Sequence, residues 1–337
     1  MDHHQRILRL SAAVLFFAIS LRLLGGGIFQ PLTAFLSRPD LLSFLLYLQT
    51  GRVVTAPAAT ERPAIPEITA PLPPAVPTVP ALPDAAVVFS PQDLELVEVN
   101  YTVDYRPDLS SLLLSPLDWS LKGDRPTVLI VHTHTTESYA GAPEEVYSEN
   151  GAYRSLDPEY NMIAVGAEIA RVLEAGGIHV IHDRTFHDYP SYNASYGNAR
   201  QTIQKHLEAH PEICMVLDIH RDASDGAGGQ LVTSGTVGGQ KSTQLMLVAG
   251  TDTAGNYFPG WQENLALALK LTALLEQADP GLTRPVTLRE HRFNMDLTPG
   301  SLIVEVGAAG DRLEEALLAA NAFARAVLAL AEGANNG

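Results

Sequence analysis

Two histidines and a carboxylate fall within six residues in His132-Thr133-His134-Thr135-Thr136-Glu137-Ser138-Tyr139. Imidazole nitrogens and carboxylate oxygens are the borderline donors that zinc prefers. His134 and Glu137 are three residues apart, so one helical turn or a tight loop can aim both at a single ion. A third donor, His220, stands in Asp218-Ile219-His220-Arg221-Asp222. His134, Glu137 and His220 together make three protein ligands with one position left open, as catalytic zinc requires. His132 contests the first slot, because alternate residues of a strand share a face and both imidazoles could then point at the metal. His132 and Asp218 form a second tier of candidates.

Hydrolysis also needs a group that takes a proton from water and returns it to the leaving nitrogen. Glu305 is the candidate, a lone carboxylate inside the apolar run Leu302-Ile303-Val304-Glu305-Val306-Gly307. An unpaired charge in such a place is costly, so the residue is expected to be paired, protonated or functional. Arg221 can give substrate a charge-assisted contact or pair with Asp218 or Asp222. His182-Asp183 and His187-Asp188 are candidates for supporting or substrate groups. The remaining histidines are scattered and carry no pattern.

These residues need a frame that brings distant segments together. Residues 127–131 are a continuous apolar, β-branched run after Pro126, the pattern of a strand buried on both faces. The same signature recurs at 178–181, 213–219, 245–249 and 302–306. Helical patterns lie between them at 162–175, 199–209 and 261–277, and a last one at 313–331 opens with Asp311-x-x-Glu314, a capping-box-like start. Strands alternating with helices predict an α/β fold, a mainly parallel or mixed sheet covered by helices on both faces. His132–Glu137 and His220 then sit at carboxyl ends of strands, where sites of such sheets form. Cys214, the single cysteine, excludes an intrachain disulfide and a cysteine zinc cage, and its apolar surroundings predict a small buried hydrophobe.

Composition divides the 337 residues into three parts. Residues 1–52 contain a 20-residue, mostly apolar stretch at 10–29 preceded by Arg6 and Arg9, which predicts a retained single-pass anchor with a cytoplasmic N-terminus. A cleaved signal peptide is the alternative, and either reading exports the remainder. Residues 53–84 contain nine prolines and few charges, an extended tether. Residues 85–337 are long enough for one catalytic domain with a large core. A formal charge of -16 argues against nucleic acid as a partner, since clustered Lys and Arg are missing.

At this point the chain resembles a known family, the stage II sporulation protein P family of peptidoglycan hydrolases, related in fold to zinc-dependent N-acetylmuramoyl-L-alanine amidases. The likeness runs through Asn100-Tyr101-Thr102, the 131–139 block, Asn161 to Gly166, His182 to Asp188, Pro190 to Tyr196, Asp218 to Ala223, Trp261 to Asn264, Arg292-Phe293-Asn294 and Gly300 to Gly307. The resemblance implies an amidase or phosphorylase/hydrolase-like fold, zinc on His134, Glu137 and His220, Glu305 as catalytic acid/base, and Asn294 beside Arg221 as a substrate contact. It implies cleavage of the amide between N-acetylmuramic acid and L-alanine, with endopeptidase activity on cross-links as an addition. It further implies septal thinning and engulfment in sporulation, beside a lytic transglycosylase and a membrane partner. Met295 departs from the pattern where glutamine is expected, as does Ala308-Ala309-Gly310-Asp311 near the catalytic strand. A zinc carboxypeptidase acting on wall peptides and a non-catalytic wall-binding scaffold are the alternatives.

Overall fold

The computed structural model describes residues 87–140, 153–223, 225, 226 and 229–333. The chain divides into two units, 1–70 and 71–337, and every described residue belongs to the second. The expected anchor and proline-rich tether lie outside the described residues.

Seven strands form the sheet: β1 Val99–Tyr101, β2 Val128–Val131, β3 Val180–His182, β4 Met215–Asp222, β5 Leu245–Gly250, β6 Val286–Arg289 and β7 Gly300–Ala308. Their order across the sheet is β1-β6-β5-β7-β4-β2-β3. β3, β2, β4 and β7 run parallel, β5, β6 and β1 run parallel to one another, and the two sets meet in one antiparallel contact between β7 and β5. The sheet is therefore mixed. The carboxyl ends of β2, β4 and β7 open on one edge, the edge to which the candidate ligands belong.

Five helices cover it: α1 Leu109–Leu114, α2 Met162–Ala175, α3 Ser195–Ala209, α4 Trp261–Ala278 and α5 Leu313–Gly333. α2, α5 and α4 pack in sequence, with α1 on α4, and share the main core with Val128 and Ile130 of β2. On the opposite face Ile203 and Leu207 of α3 cover Leu129, Val131 and Val216. That two-sided cover explains why β2 is apolar at every position, since each alternate residue meets a helix. Burial of each such side chain stabilises the fold by roughly 1.5–3 kcal/mol. α5 is apolar and long enough to cross a membrane, but 72% of its apolar window is buried inside the fold, so its composition is that of a core helix.

The apolar runs and helical periods of the sequence correspond to β2, β3, β4, β5, β7, α2, α3, α4 and α5. β1, β6 and α1 are short elements without a clear period. Two further expectations differ. Asp311 does not cap the last helix: its buried carboxylate accepts from Thr233 N at 2.7 Å, Thr233 Oγ1 at 2.7 Å, Ala308 N at 2.8 Å and Thr243 Oγ1. The reason lies in β7, whose pairing with β4 shifts register between Glu305 and Ala308 at Gly307, a bulge with φ of 70°. The bulge turns Ala308 N toward Asp311, and Thr233 and Thr243 bring the other donors. Cys214 is only partly buried, with Sγ 3.4 Å from Ser120 O.

Candidate active site

After Val131 the chain leaves β2 and makes a tight turn in which Glu137 N donates to His134 O at 3.1 Å. The three threonines of this turn act as fasteners. Thr133 donates to Asp218 through N at 2.7 Å and Oγ1 at 2.5 Å, Thr136 Oγ1 donates to Asp188 at 2.6 Å, and Thr135 Oγ1 lies 2.8 Å from His132 O. Ser155 N donates to Thr136 O at 2.7 Å, and Asn161, which caps α2 by accepting from Ile163 N, also donates to Ser155 O at 3.0 Å. Tyr139 Oη donates to Val306 O at 2.7 Å, which ties the turn to β7 next to Glu305. Buried polar groups paired this completely make a rigid frame.

Within that frame the expected residues converge. The rings of His134 and His220 stand 5.3 Å apart at 89°, and His220 Nδ1 lies 3.5 Å from Glu137 Oε2. Glu305 is directly opposite His220 in the β7–β4 ladder. All three ligand candidates are buried, His134 at 7% and Glu137 and His220 at 4% exposure. Asp218 Oδ1 lies 2.9 Å from His220 Nε2, at ion-pair distance but without hydrogen-bond alignment.

Electrostatics distinguishes these groups. Burial opposes charge on His220, yet the carboxylates of Asp218 and Glu137 hold its imidazole well above the usual range and keep it protonated. Burial likewise opposes ionisation of Glu137, but Arg221 and His220 hold it well below the usual carboxylate range. Burial lowers His134 to about 4, leaving it a neutral donor. Glu305 goes the other way: burial, then the charge of Glu137, push it up to about 7. A carboxyl poised near neutrality can both take and give a proton.

Whether the set suits a metal can be judged from its own atoms. His134 Nδ1 is buried without a hydrogen-bond partner among the described residues, as is Glu305 Oε2, whereas His220 Nε2 faces Asp218 and leaves Nδ1, on the side of Glu137, as its metal-facing nitrogen. An orphaned imidazole nitrogen such as that of His134 is what a cation would satisfy. Two imidazoles and a carboxylate match zinc in donor type, and Asp218 beside His220 is the outer carboxylate that commonly orients a ligating imidazole. The set is not assembled in advance: among the described residues no three His, Cys, Asp or Glu side chains already stand as a metal-holding group.

Three other expectations are resolved by position. His132 does not face the His134 group. Its Nε2 lies 2.8 Å from His182 Nε2 and its Nδ1 3.3 Å from Ile219 O. Arg221 is only 1% exposed and pairs with neither Asp218 nor Asp222. Its Nε donates to Ser138 O at 2.9 Å and its Nη2 to Tyr153 O at 2.7 Å, while Nη1 lies 3.5 Å from Glu137. Its buried guanidinium thus braces Glu137 and the turn that carries it. Asn294 donates to Tyr196 O at 3.0 Å from a left-handed conformation, and so fastens its loop to α3. His187 and Asp188 are supporting groups, His187 Nδ1 lying 2.8 Å from His132 O and Asp188 pairing with Arg154 at 2.8 Å.

Arg154 and Tyr192 were not singled out by sequence. Arg154 bridges Asp188 and Glu137, at 2.8 and 3.7 Å, and Tyr192 stacks on His134 with ring centroids 4.5 Å apart. Neither has a spacing signal, because Arg154 stands at an isolated β-bridge to Glu137 and Tyr192 in a single 3-10 turn. Tyr192 could have been found only as part of the Pro190 to Tyr196 block.

Gly166 makes room for the imidazole pair. A Cβ there would fall 2.6 Å from His132 Cε1 and 2.7 Å from His182 Nε2. In an open helix Gly→Ala gains about 1 kcal/mol. Here Gly166→Ala should instead cost roughly 1–3 kcal/mol through overpacking, read as a lower urea midpoint. A raised midpoint would show that the rings move aside freely.

With this geometry in view, the family comparison is decisive: the profile of stage II sporulation protein P matches residues 87–328. The chain belongs to the stage II sporulation protein P family. It is 29% identical over 215 residues to stage II sporulation protein P of Bacillus subtilis strain 168, a match covering 60% of this chain and 50% of the relative. The chain thus spans about half the length of that curated relative. Among solved structures it is similar to the N-acetylmuramyl-L-alanine amidase Ami1 of Mycobacterium abscessus, with 15% identity, 62% of this chain and 97% of that chain covered, and a TM-score of 0.38. The CwlD amidase of Clostridioides difficile, solved in complex with the GerS lipoprotein, gives 13% identity, 61% and 95% coverage, and a TM-score of 0.36. In this stage II sporulation protein P family member the matched region contains the whole site, from His132 to Glu305.

Proposed function

We propose that this stage II sporulation protein P family member is a zinc-dependent peptidoglycan hydrolase that cleaves the amide between N-acetylmuramic acid and L-alanine during sporulation. The observation that carries the reading is the convergence of His134, Glu137 and His220 opposite Glu305, a part-exposed side chain whose Oε2 is buried without a hydrogen-bond partner among the described residues and whose carboxyl is pushed up to about 7.

His134, Glu137 and His220 would hold the metal, which when bound supplies Lewis acidity to the scissile carbonyl and acidifies water. Asp218 fixes His220, and Arg221 and Arg154 fix Glu137, so the ligands keep their aim while substrate comes and goes. Glu305 takes the proton of the attacking water and returns it to the leaving nitrogen of L-alanine, a transfer for which a carboxyl near neutrality is matched. The proposed setting is the outer face of the membrane, with residues 1–52 as anchor, a lytic transglycosylase and a membrane protein as partners, and endopeptidase action on cross-links as a side activity.

Purified dye-labelled peptidoglycan tests the hydrolytic reading. The chain supplied with zinc should release soluble dye at a rate far above that of Glu305→Gln, and no release above buffer would overturn it.

A further inference from the structure

Tyr192 opens the 3-10 turn Tyr192–Ala194 that leads into α3. Its ring lies nearly parallel to that of His134, 6° apart at 4.5 Å, and the Arg154 guanidinium stands 4.9 Å from its centroid. Tyr196, four residues on, meets the same imidazole edge-on at 5.5 Å. The Tyr192 ring is thus held by an imidazole and a guanidinium, and its position is fixed without a hydrogen bond.

Exposure separates Tyr192 from its neighbours. His134, Arg154 and His220 are at most 8% exposed, whereas Tyr192 is 38% exposed. It is the exposed member of this cluster. Among the described residues its hydroxyl has no hydrogen-bond partner, so it is a free donor on a ring held in place. The Arg154 guanidinium beside it is engaged on Asp188, Glu137 and Thr136, and Tyr196 sits deeper, with its ring edge-on to His134.

Amide hydrolysis places growing negative charge on the carbonyl oxygen, and a donor fixed before the reaction stabilises that charge without reorganisation. We propose that the Tyr192 hydroxyl donates a hydrogen bond to the carbonyl oxygen of the scissile amide and strengthens it as that oxygen becomes an oxyanion. The proton stays on the phenol, so the role is electrostatic and separate from the proton transfer assigned to Glu305. The inference rests on the amide-hydrolase reading and adds a catalytic residue to it.

Tyr192→Phe removes one oxygen and keeps the ring with both of its contacts. It should lower kcat on soluble muropeptide roughly 10²-fold while KM, zinc content and thermal midpoint stay near those of the wild type. A phosphinate analogue of the scissile amide, measured by calorimetry, needs no turnover and should bind the variant weaker by the same factor. A kcat within threefold of wild type, unchanged phosphinate affinity, or a loss confined to KM would each overturn the proposal. So would activity lost together with zinc, which would make Tyr192 a prop for His134 only. An inactive wild type that still binds the phosphinate through Tyr192 would reject the hydrolase reading and leave the hydroxyl contact standing.

Discussion

Glu305→Gln should give a folded protein that loads metal as the wild type does and turns over peptidoglycan roughly 10³-fold more slowly. Glutamine keeps the shape and hydrogen-bonding size of the side chain but cannot exchange a proton. Because Glu305 lies opposite His220 in the ladder and is not one of the three proposed ligands, the substitution leaves the proposed metal donors in place. The same variant carries a second, independent signature. The folded chain holds the Glu305 proton up to about 7, through burial and the nearby Glu137, against an ordinary 4.5. The folded state therefore binds that proton more tightly than the unfolded state, and stability is lost as pH rises between those two values. Glutamine cannot ionise and escapes that loss. The metal-free variant should be more stable than metal-free wild type near pH 8 and close to it near pH 4.5, as a chemical denaturation series would show. Equal stability at both ends would mean that Glu305 is solvated or paired.

Metal removal is the second large effect. A chelator should abolish release of wall fragments, and added zinc should restore it. His220→Ala should weaken zinc binding by roughly 10²-fold or more, measured by competition with a chromogenic chelator. It should also destabilise the metal-free protein, because His220 is the protonated partner of two buried carboxylates, Asp218 and Glu137. Breaking such a buried group by removing one partner costs on the order of 3–5 kcal/mol. The two effects separate cleanly: unchanged zinc affinity with lowered stability would leave His220 a structural ion pair. Full activity in excess chelator would remove the metal from the account.

The strands and helices that carry the site were legible because their signals are local. β2 and the first three residues of β4 are apolar throughout, as strands covered on both faces must be, and α2 ends at Gly176 where the sequence turns to Gly176-Gly177. The ligand candidates could be named because they stand at strand ends, where chemistry-bearing residues interrupt apolar runs. The sense of Arg221 was not legible. Its charge suggested a substrate contact or an ion pair with Asp218 or Asp222, and only packing reveals that Ser138 O and Tyr153 O have claimed its guanidinium. His132 was undecidable for a related reason: the period of a strand places it on the face of His134 only while the strand continues, and β2 ends at Val131. Asp311 obeyed a local capping rule on paper but was recruited by the bulge at Gly307, a tertiary event with no sequence period.

The most direct test is mass analysis of the products of wall digestion. Muropeptides incubated with the zinc-loaded chain should yield glycan with free lactyl carboxyl groups and intact stem peptides beginning at a free L-alanine amine, and Glu305→Gln should yield neither. Stem peptides that stay on the glycan and lose a terminal residue would contradict the account and identify a carboxypeptidase.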